Sequence, residues 1–431
     1  MENKISVYWF RRDLRIEDNV ALFNALKSGN KVLPLFIFDD EILDKLPNDD
    51  PRVSFIYETL SQLDEQLKSK GSSLLIKKGD PLEVWENLLT EFEIDAVFVN
   101  KDYEPYAIKR DKEIQYFLGC QGLGFYSYKD QVVFEENEVV KNDGLPYTVY
   151  TPYKNKWLQK FNKEIHTKEF PIDFSNFSKV TFEFPSLEFI GFEKSSIKVK
   201  PYNLSSLADY DEIRDFPFQD KTSYLSPYLR FGLVSVRKMV LFALVNNATF
   251  LSELIWREFF MQVLFHYPKV VTHNFKKKYD AIPWRNNEQE FEKWCNGETG
   301  YPMVDAGMRQ LNATGYMHNR VRMITAGFLC KHLLIDWRWG EAYFAEKLLD
   351  YDLSANNGNW QWASGTGCDS APYFRVFNPE TQLKKFDSNL NYVRKWINDF
   401  DELTYPLPLI EHKAARERAL TTYKKALNNF V

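Results

Sequence analysis

No two of the four cysteines in this chain are close enough to make a C-x-x-C pair; they stand singly at 120, 295, 330 and 368. That spacing excludes a short secreted disulfide framework and supplies no zinc ligand set, so no metal is expected and the thiols read as reduced ones of a cytosolic protein. No run of 18 or more apolar residues occurs, so no membrane-spanning helix is expected. The start, MENKISVYWFRRDLR, carries charge where a secretory leader would have its apolar core. Positive charge is in short supply as well: 55 Lys and Arg face 60 Asp and Glu, a formal net charge of −5. Contact with nucleic acid therefore has to rest on a local patch. G-x-G-x-x-G and Walker patterns are missing too, which argues against the commonest dinucleotide and triphosphate sites.

What the chain has in plenty is tryptophan, 11 in all, eight of them after residue 250. Core packing accounts for part of that excess; stacking on a planar ligand or on bases, or carrying electrons, accounts for the rest. A chain of 431 residues is long enough for two or three domains. Short β-prone runs at 5–10, 32–38, 73–77, 95–99 and 125–128 alternate with helical spacing at 51–69 and 81–92. The alternation predicts an α/β domain over 1–130, a doubly wound parallel sheet whose ligands would sit at the carboxyl ends of the strands. The polar turn after the first run, Arg11-Arg12-Asp13, reads as solvated, its arginines paired with Asp13 and Asp18. From 131 to 204 the pattern loses its period and prolines recur, as in a long connector. Beyond 205 long segments carry apolar residues three and four apart, which predicts a larger all-α domain over 205–431.

Four groups of residues break that amphipathic pattern. Glu253, Trp256 and Arg257 share one helical face; Glu253 and Arg257 also suit a plain surface ion pair. Asn319, Arg320 and Arg322 bring amide and cationic donors to a helix start, with Met323 following. Thr222 to Ser226 puts hydroxyls and helix-start N–H groups at another, a natural seat for phosphate. The fourth group, DYDLSANNGNWQWASGTGCDSAPYFR at 350–375, packs two carboxylates, two adjacent amides and a W-x-W pair into what reads as a turn-rich segment. Burying such groups requires partners, so a polar ligand is indicated.

With WFRRDLR, TSYLSPYLRFG, ELIWREFF, TGYPMVDAGMRQL, TGYMHNRVRMITA, DWRWGE, ANNGNWQWASGTG and APYFRVFNP in order and correctly separated, the chain resembles the photolyase/cryptochrome family over nearly its full length. It is most similar to the class I photolyases that repair cyclobutane pyrimidine dimers. The resemblance implies an antenna-binding α/β domain, a connector and a helical domain that holds FAD and damaged DNA. Tyr210 and Thr222, Ser223, Tyr224, Leu225 and Ser226 would hold the pyrophosphate and its neighbourhood, with Phe250 beside the flavin. Asp350, Tyr351 and Asp352 would lie around the ribityl and isoalloxazine, with Arg322 pairing Asp350, and Asn356 would face flavin N5. Trp256 and Trp362 would stack on a dimer flipped out of the duplex. Glu253 would hydrogen-bond its polar edge, and Met323 would touch it. Asn319, Arg320 and Gln382 would hold the lesion strand, and Arg257 would contact flavin and DNA together.

Trp360, Trp337 and Trp284 match the family's chain of tryptophans leading from flavin to surface. The implied reaction is electron donation from photoexcited reduced FAD to the dimer, ring splitting and return of the electron, with no metal. A second, antenna chromophore would bind around Glu104, methenyltetrahydrofolate ahead of a deazaflavin. Phe250 and Tyr316 stand where relatives often have Trp, Tyr224 where some have a basic residue and Cys368 where Thr is common. The protein is expected to be a cytoplasmic monomer acting on UV-damaged DNA. The alternatives are a cryptochrome-type blue-light receptor, a (6-4) photoproduct photolyase and a flavin electron-transfer protein without a DNA role.

Overall fold

The computed structural model describes residues 4–428. Packing divides the chain into two units, one of Met1–Glu138, Gln159–Tyr202 and Leu225–Val245, the other of Val139–Leu158, Asn203–Tyr224 and Asn246–Val431. The stretch read as a connector is thus shared between them, and Leu225–Val245 belongs with the first. Ion pairs tie it there: Arg237 reaches Asp18 at 2.9 Å and Asp130 at 3.0 Å, beside an Arg15–Asp130 pair at 2.7 Å.

The first unit is built on a parallel sheet of five strands: β1 (Ile5–Phe10), β2 (Lys31–Asp39), β3 (Leu75–Gly79), β4 (Ile94–Asn100) and β5 (Gly124–Tyr128). Their spatial order is β3-β2-β1-β4-β5. The helices that bridge successive strands are α1 (Val20–Leu26), α2 (Pro51–Lys68), α3 (Pro81–Glu91) and α4 (Pro105–Cys120). Asp50 and Asp80 cap α2 and α3 one residue before a proline, the favoured chemistry for a helix start. Side chains alternate between two cores, with Tyr8, Phe10, Phe36 and Phe98 on one face and Val7, Trp9, Leu35 and Val97 on the other. Apolar residues on both faces are what a parallel sheet covered on each side requires.

The order reverses between β1 and β4, and the polar turns of both strands meet at that end. Arg11 and Arg12 are not solvated there and do not pair with Asp13 and Asp18. Arg11 is bound by Asp111, and Arg12 by Asp102 at 3.3 Å and Glu104 at 2.7 Å. Asp13 instead accepts from the Tyr8 hydroxyl and the Asn100 amide, within reach along its own strand end.

The second unit is helical. The helices that bear on its chemistry are α5 (Ala248–His266), α6 (Pro302–Thr314), α7 (Asn319–Gly327), α8 (Trp337–Lys347), α9 (Leu353–Ser364), α10 (Pro379–Phe386) and α11 (His412–Asn428). The 350–375 stretch departs from its reading as turns, because α9 occupies its middle. Asp352 caps it by accepting from Ala355 N, and Gly365, at φ +83°, ends it. Gly358 allows α9 to lie against α5: a Cβ there would stand 2.2 Å from a ring carbon of Phe260. At the far end, Lys331 donates to Ser364 O at 2.6 Å and lies over the Tyr423 ring of α11 at 3.8 Å.

Candidate functional site

The face of α9 turned away from Phe260 closes a cavity of about 590 Å³, its open mouth included. Asn356, Asn359, Trp360 and Trp362 line it from α9, Asn319, Arg322 and Met323 from α7, and Asp350, Tyr351 and Asp352 from the turn that precedes α9. Helical spacing explains the choice. Asn357 and Gln361, one turn apart on the other face, both donate to Val270 O, at 3.0 and 2.9 Å. Of the two adjacent amides, Asn357 is therefore structural and Asn356 faces the hollow.

The polar groups of the cavity are held in fixed poses. Arg322 donates through Nη2 to both Asp350 oxygens, at 2.9 and 3.1 Å, and through Nε to Met317 O at 2.8 Å. A guanidinium bound on two edges has little freedom left. Asn356 Nδ2 donates to the carbonyl of Glu341 at 3.0 Å and to its Oε1 at 2.9 Å. Both acceptors lie on α8, so the amide carbonyl is the end left for a ligand. Burial pushes the Glu341 carboxyl up, and the Asn356 bond draws it part of the way back. Trp360 is buried, edge-on to Phe344 at 4.9 Å and to Trp294 at 6.1 Å.

Other residues singled out from the sequence lie outside this lining. Glu253 pairs with Arg214 at 2.7 Å, not with Arg257. Burial raises its carboxyl, and Arg214 opposes that. Trp256 stacks on Tyr150, ring centroids 3.6 Å apart at 9°, and the Tyr150 hydroxyl contacts Ser252 Oγ at 2.6 Å. Tyr210 meets Phe250 edge-on at 5.4 Å and carries the Arg214 guanidinium over its ring. Arg320 is bound to Asp215 at 2.6 Å and lies over Phe386 of α10 at 4.5 Å, one turn beyond Gln382.

Thr222, Ser223 and Tyr224 fall in the second unit, whereas Leu225 and Ser226 fall in the first. The helix they open, Ser226–Arg230, has five residues, and the next begins at Val236. Gly232, at φ +67°, makes the break, where a Cβ would stand 2.2 Å from Arg12 O. Tyr224 is itself left-handed at φ +52°, its ring edge-on to Tyr316 at 4.9 Å. Trp337 is fully buried, its Nε1 donating to Asn274 at 2.9 Å, and Trp284 packs partly buried on the same core as Trp337 and Trp360. In the first unit, Glu104 binds Arg12 and, at 3.2 Å, Arg230.

The sequence alone gives no site role to Arg214, Asp215, Tyr150, Glu341 or Trp294. Glu341 stood inside the DWRWGE motif, and the Arg214–Asp215 pair was the one signal in YDEIRDFP. Among the described residues, no helix is long and apolar enough to cross a membrane, and no group of three or more His, Cys, Asp or Glu could hold a metal ion.

Residues 6–171 match the family described as DNA photolyase, and residues 250–404 the one described as the FAD binding domain of DNA photolyase. A deoxyribodipyrimidine photo-lyase of Alkalihalophilus pseudofirmus is 36% identical over 476 residues, covering 98% of this chain and 98% of that protein. A bacterial class III photolyase from Agrobacterium tumefaciens superposes with a TM-score of 0.88 at 33% identity, over 99% of this chain and 98% of that one. An archaeal photolyase from Sulfolobus tokodaii, solved with two FAD molecules, does so with a TM-score of 0.86 at 34% identity, over 97% and 99%. With both matches in sequence order and similarity sustained from end to end, the chain belongs to the DNA photolyase family.

Proposed function

We propose that this enzyme repairs cyclobutane pyrimidine dimers in UV-damaged DNA under blue light, with reduced FAD in the α9 cavity. The observation that carries the reading is the pose of Asn356. Its NH₂ is occupied by two Glu341 oxygens, so its carbonyl is presented to the hollow as an acceptor. An acceptor at that position suits the N5–H of a reduced flavin and offers no proton to it. The donor set fits the rest of the group: Arg322 clamped on Asp350, with Asp352 and Tyr351 beside them. FAD bound there supplies the electron that opens the cyclobutane ring and takes it back, so no redox equivalent is consumed.

The chain's own groups do the positioning. Trp362 and Met323 give the cavity an aromatic and a polarisable wall for an extruded dinucleotide, and Asn319 at its rim offers an amide to the strand. Glu253, part-buried and raised, serves as hydrogen-bond partner for the polar edge of the dimer. Trp256, Arg257, Arg320 and Gln382 extend the contact along the DNA, and Tyr210, Thr222 to Ser226 and Phe250 serve the remainder of FAD. Trp360, Trp337 and Trp284 would pass electrons inward from a reductant in solution to an oxidised flavin. Residues 1–130 carry the antenna, a methenyltetrahydrofolate near Glu104. The relative from Alkalihalophilus pseudofirmus named a deoxyribodipyrimidine photo-lyase supports this substrate. The test is a light-dependent assay on an oligonucleotide with one thymine dimer, read with the absorption spectrum of the same sample. Restoration of thymines only under blue light is expected. Flavin-loaded protein that leaves the dimer intact under illumination refutes it.

A further inference from the structure

Arg214 and Asp215 are consecutive, opposite in charge, and each meets a side chain of the complementary sign on a different helix. Arg214 donates to Glu253 of α5 at 2.7 Å, and Asp215 accepts from Arg320 Nη2 of α7 at 2.6 Å. Neighbouring residues of an irregular segment point to different sides, so one short strap just after Ile213 answers both groups. Of these partners, Glu253 is assigned above to the edge of the dimer and Arg320 to the lesion strand. The strap therefore presents a donor where the proposed function places the edge of the dimer, and an anion at the guanidinium it assigns to the DNA strand.

Arg320 is otherwise arranged to receive an anion. Its guanidinium carbon lies 4.5 Å from the Phe386 ring centre, with Nη1 at 3.9 Å from Met323 Sδ. Its Nε is buried with no hydrogen-bond partner. Carboxylate and phosphate engage a guanidinium through the same pairs of oxygens. The Asp215 side chain is 38% exposed and that of Arg320 20%, so water, and an incoming phosphate, can reach the pair. An ion pair so exposed is weak and exchanges readily.

We propose that Asp215 is an affinity-setting residue: its carboxylate keeps the phosphate seat on Arg320 filled against undamaged DNA and yields it when an extruded dimer docks. The inference rests on the function proposed above. Undamaged duplex offers backbone charge alone, and on this protein that charge must compete with an anion already seated. Damaged duplex adds stacking and hydrogen bonds in the cavity, which drive the exchange. The duplex that displaces the carboxylate bears the cost of breaking the pair, so Asp215 lowers affinity and leaves discrimination to the cavity.

The test is equilibrium binding in the dark to one duplex sequence, with and without a single thymine dimer, across a salt series. Asp215→Asn should tighten binding to the undamaged duplex by about 2- to 5-fold, the scale of one exposed charge pair. Its log–log salt slope should steepen by about 0.9, one more phosphate neutralised. The damaged duplex, which displaces the carboxylate in the parent, should tighten at least as much with little change in slope. Asp215→Glu should restore the parent slopes, and Arg320→Gln in the Asp215→Asn background should remove the gain. An unchanged slope on undamaged duplex, or tightening that persists when Arg320 is replaced as well, overturns the inference while leaving the function standing. A parent protein without salt-dependent binding to either duplex overturns the function and the inference together.

Discussion

His318 offers a quantitative prediction because it caps the helix that carries Asn319, Arg320, Arg322 and Met323. Its Nδ1 accepts from Arg320 N at 3.1 Å, so the ring must be unprotonated at that nitrogen. Burial, with Arg320 and Arg322 nearby, lowers its pKa from 6.5 to about 4, against the opposing pull of Asp215. Between those values the native chain binds fewer protons than the unfolded one, so stability rises with pH. The contribution is complete above about pH 6.5 and is lost as pH falls towards about 4. The gap corresponds to at most about 3 kcal/mol, and contact of the ring with water reduces it towards 1.

His318→Asn isolates the effect, since Asn is an equally good cap that does not titrate. Chemical denaturation of parent and variant at several pH values is the assay, with the histidine ring followed by NMR. The parent should lose about 1–3 kcal/mol relative to the variant as the pH falls across this window. His332, lowered to about 3 chiefly by burial, is common to both proteins and cancels in the difference. Parallel pH profiles for the two proteins, or a ring titrating at its ordinary value, would refute the reasoning.

Further expected outcomes concern the cavity and its supports. Trp362→Ala should weaken binding to dimer-containing DNA by about 1–3 kcal/mol if the indole stacks on the lesion; unaltered affinity would count against that role. Trp284→Phe should slow photoreduction of oxidised flavin while repair by pre-reduced protein continues, and equal loss of both would argue against the electron route. Gly358→Ala should cost about 1–3 kcal/mol, because its methyl would meet the Phe260 ring at 2.2 Å; an unchanged melting temperature would show that α5 and α9 yield at no cost.

The first unit was legible because parallel strands buried on both faces are written as continuous apolar runs. The runs at 5–10, 32–38 and 95–99 fall on β1, β2 and β4, whereas the run at 73–77 is displaced two residues from β3. The 350–375 segment was legible as a site but not as a helix. Asn-Asn-Gly-Asn is loop chemistry by local preference. What makes it helical is tertiary: the Asp352 cap, the amides on Val270 O, and a glycine that lets α5 approach. Glu253 shows the same limit from the other side. Spacing of four made Arg257 its natural partner, yet the carboxylate meets Arg214, 39 residues earlier, which no local rule reveals. The Arg322–Asp350 pair, 28 residues apart, was reached only because the motif resemblance supplied it.

The attachment of Arg237 to Asp18 and Asp130 bears on how a ribosome delivers this protein. The sheet strands and both carboxylates leave the exit tunnel early, whereas Arg237 is among the residues added when more than half of the 431-residue chain has been made. Until then the nascent sheet holds Asp18 without the cation that neutralises it in the finished protein, and burying it alone is unfavourable. A truncation ending at residue 204 keeps both carboxylates but lacks Arg237, and is expected to hold its sheet less stably than the full chain does.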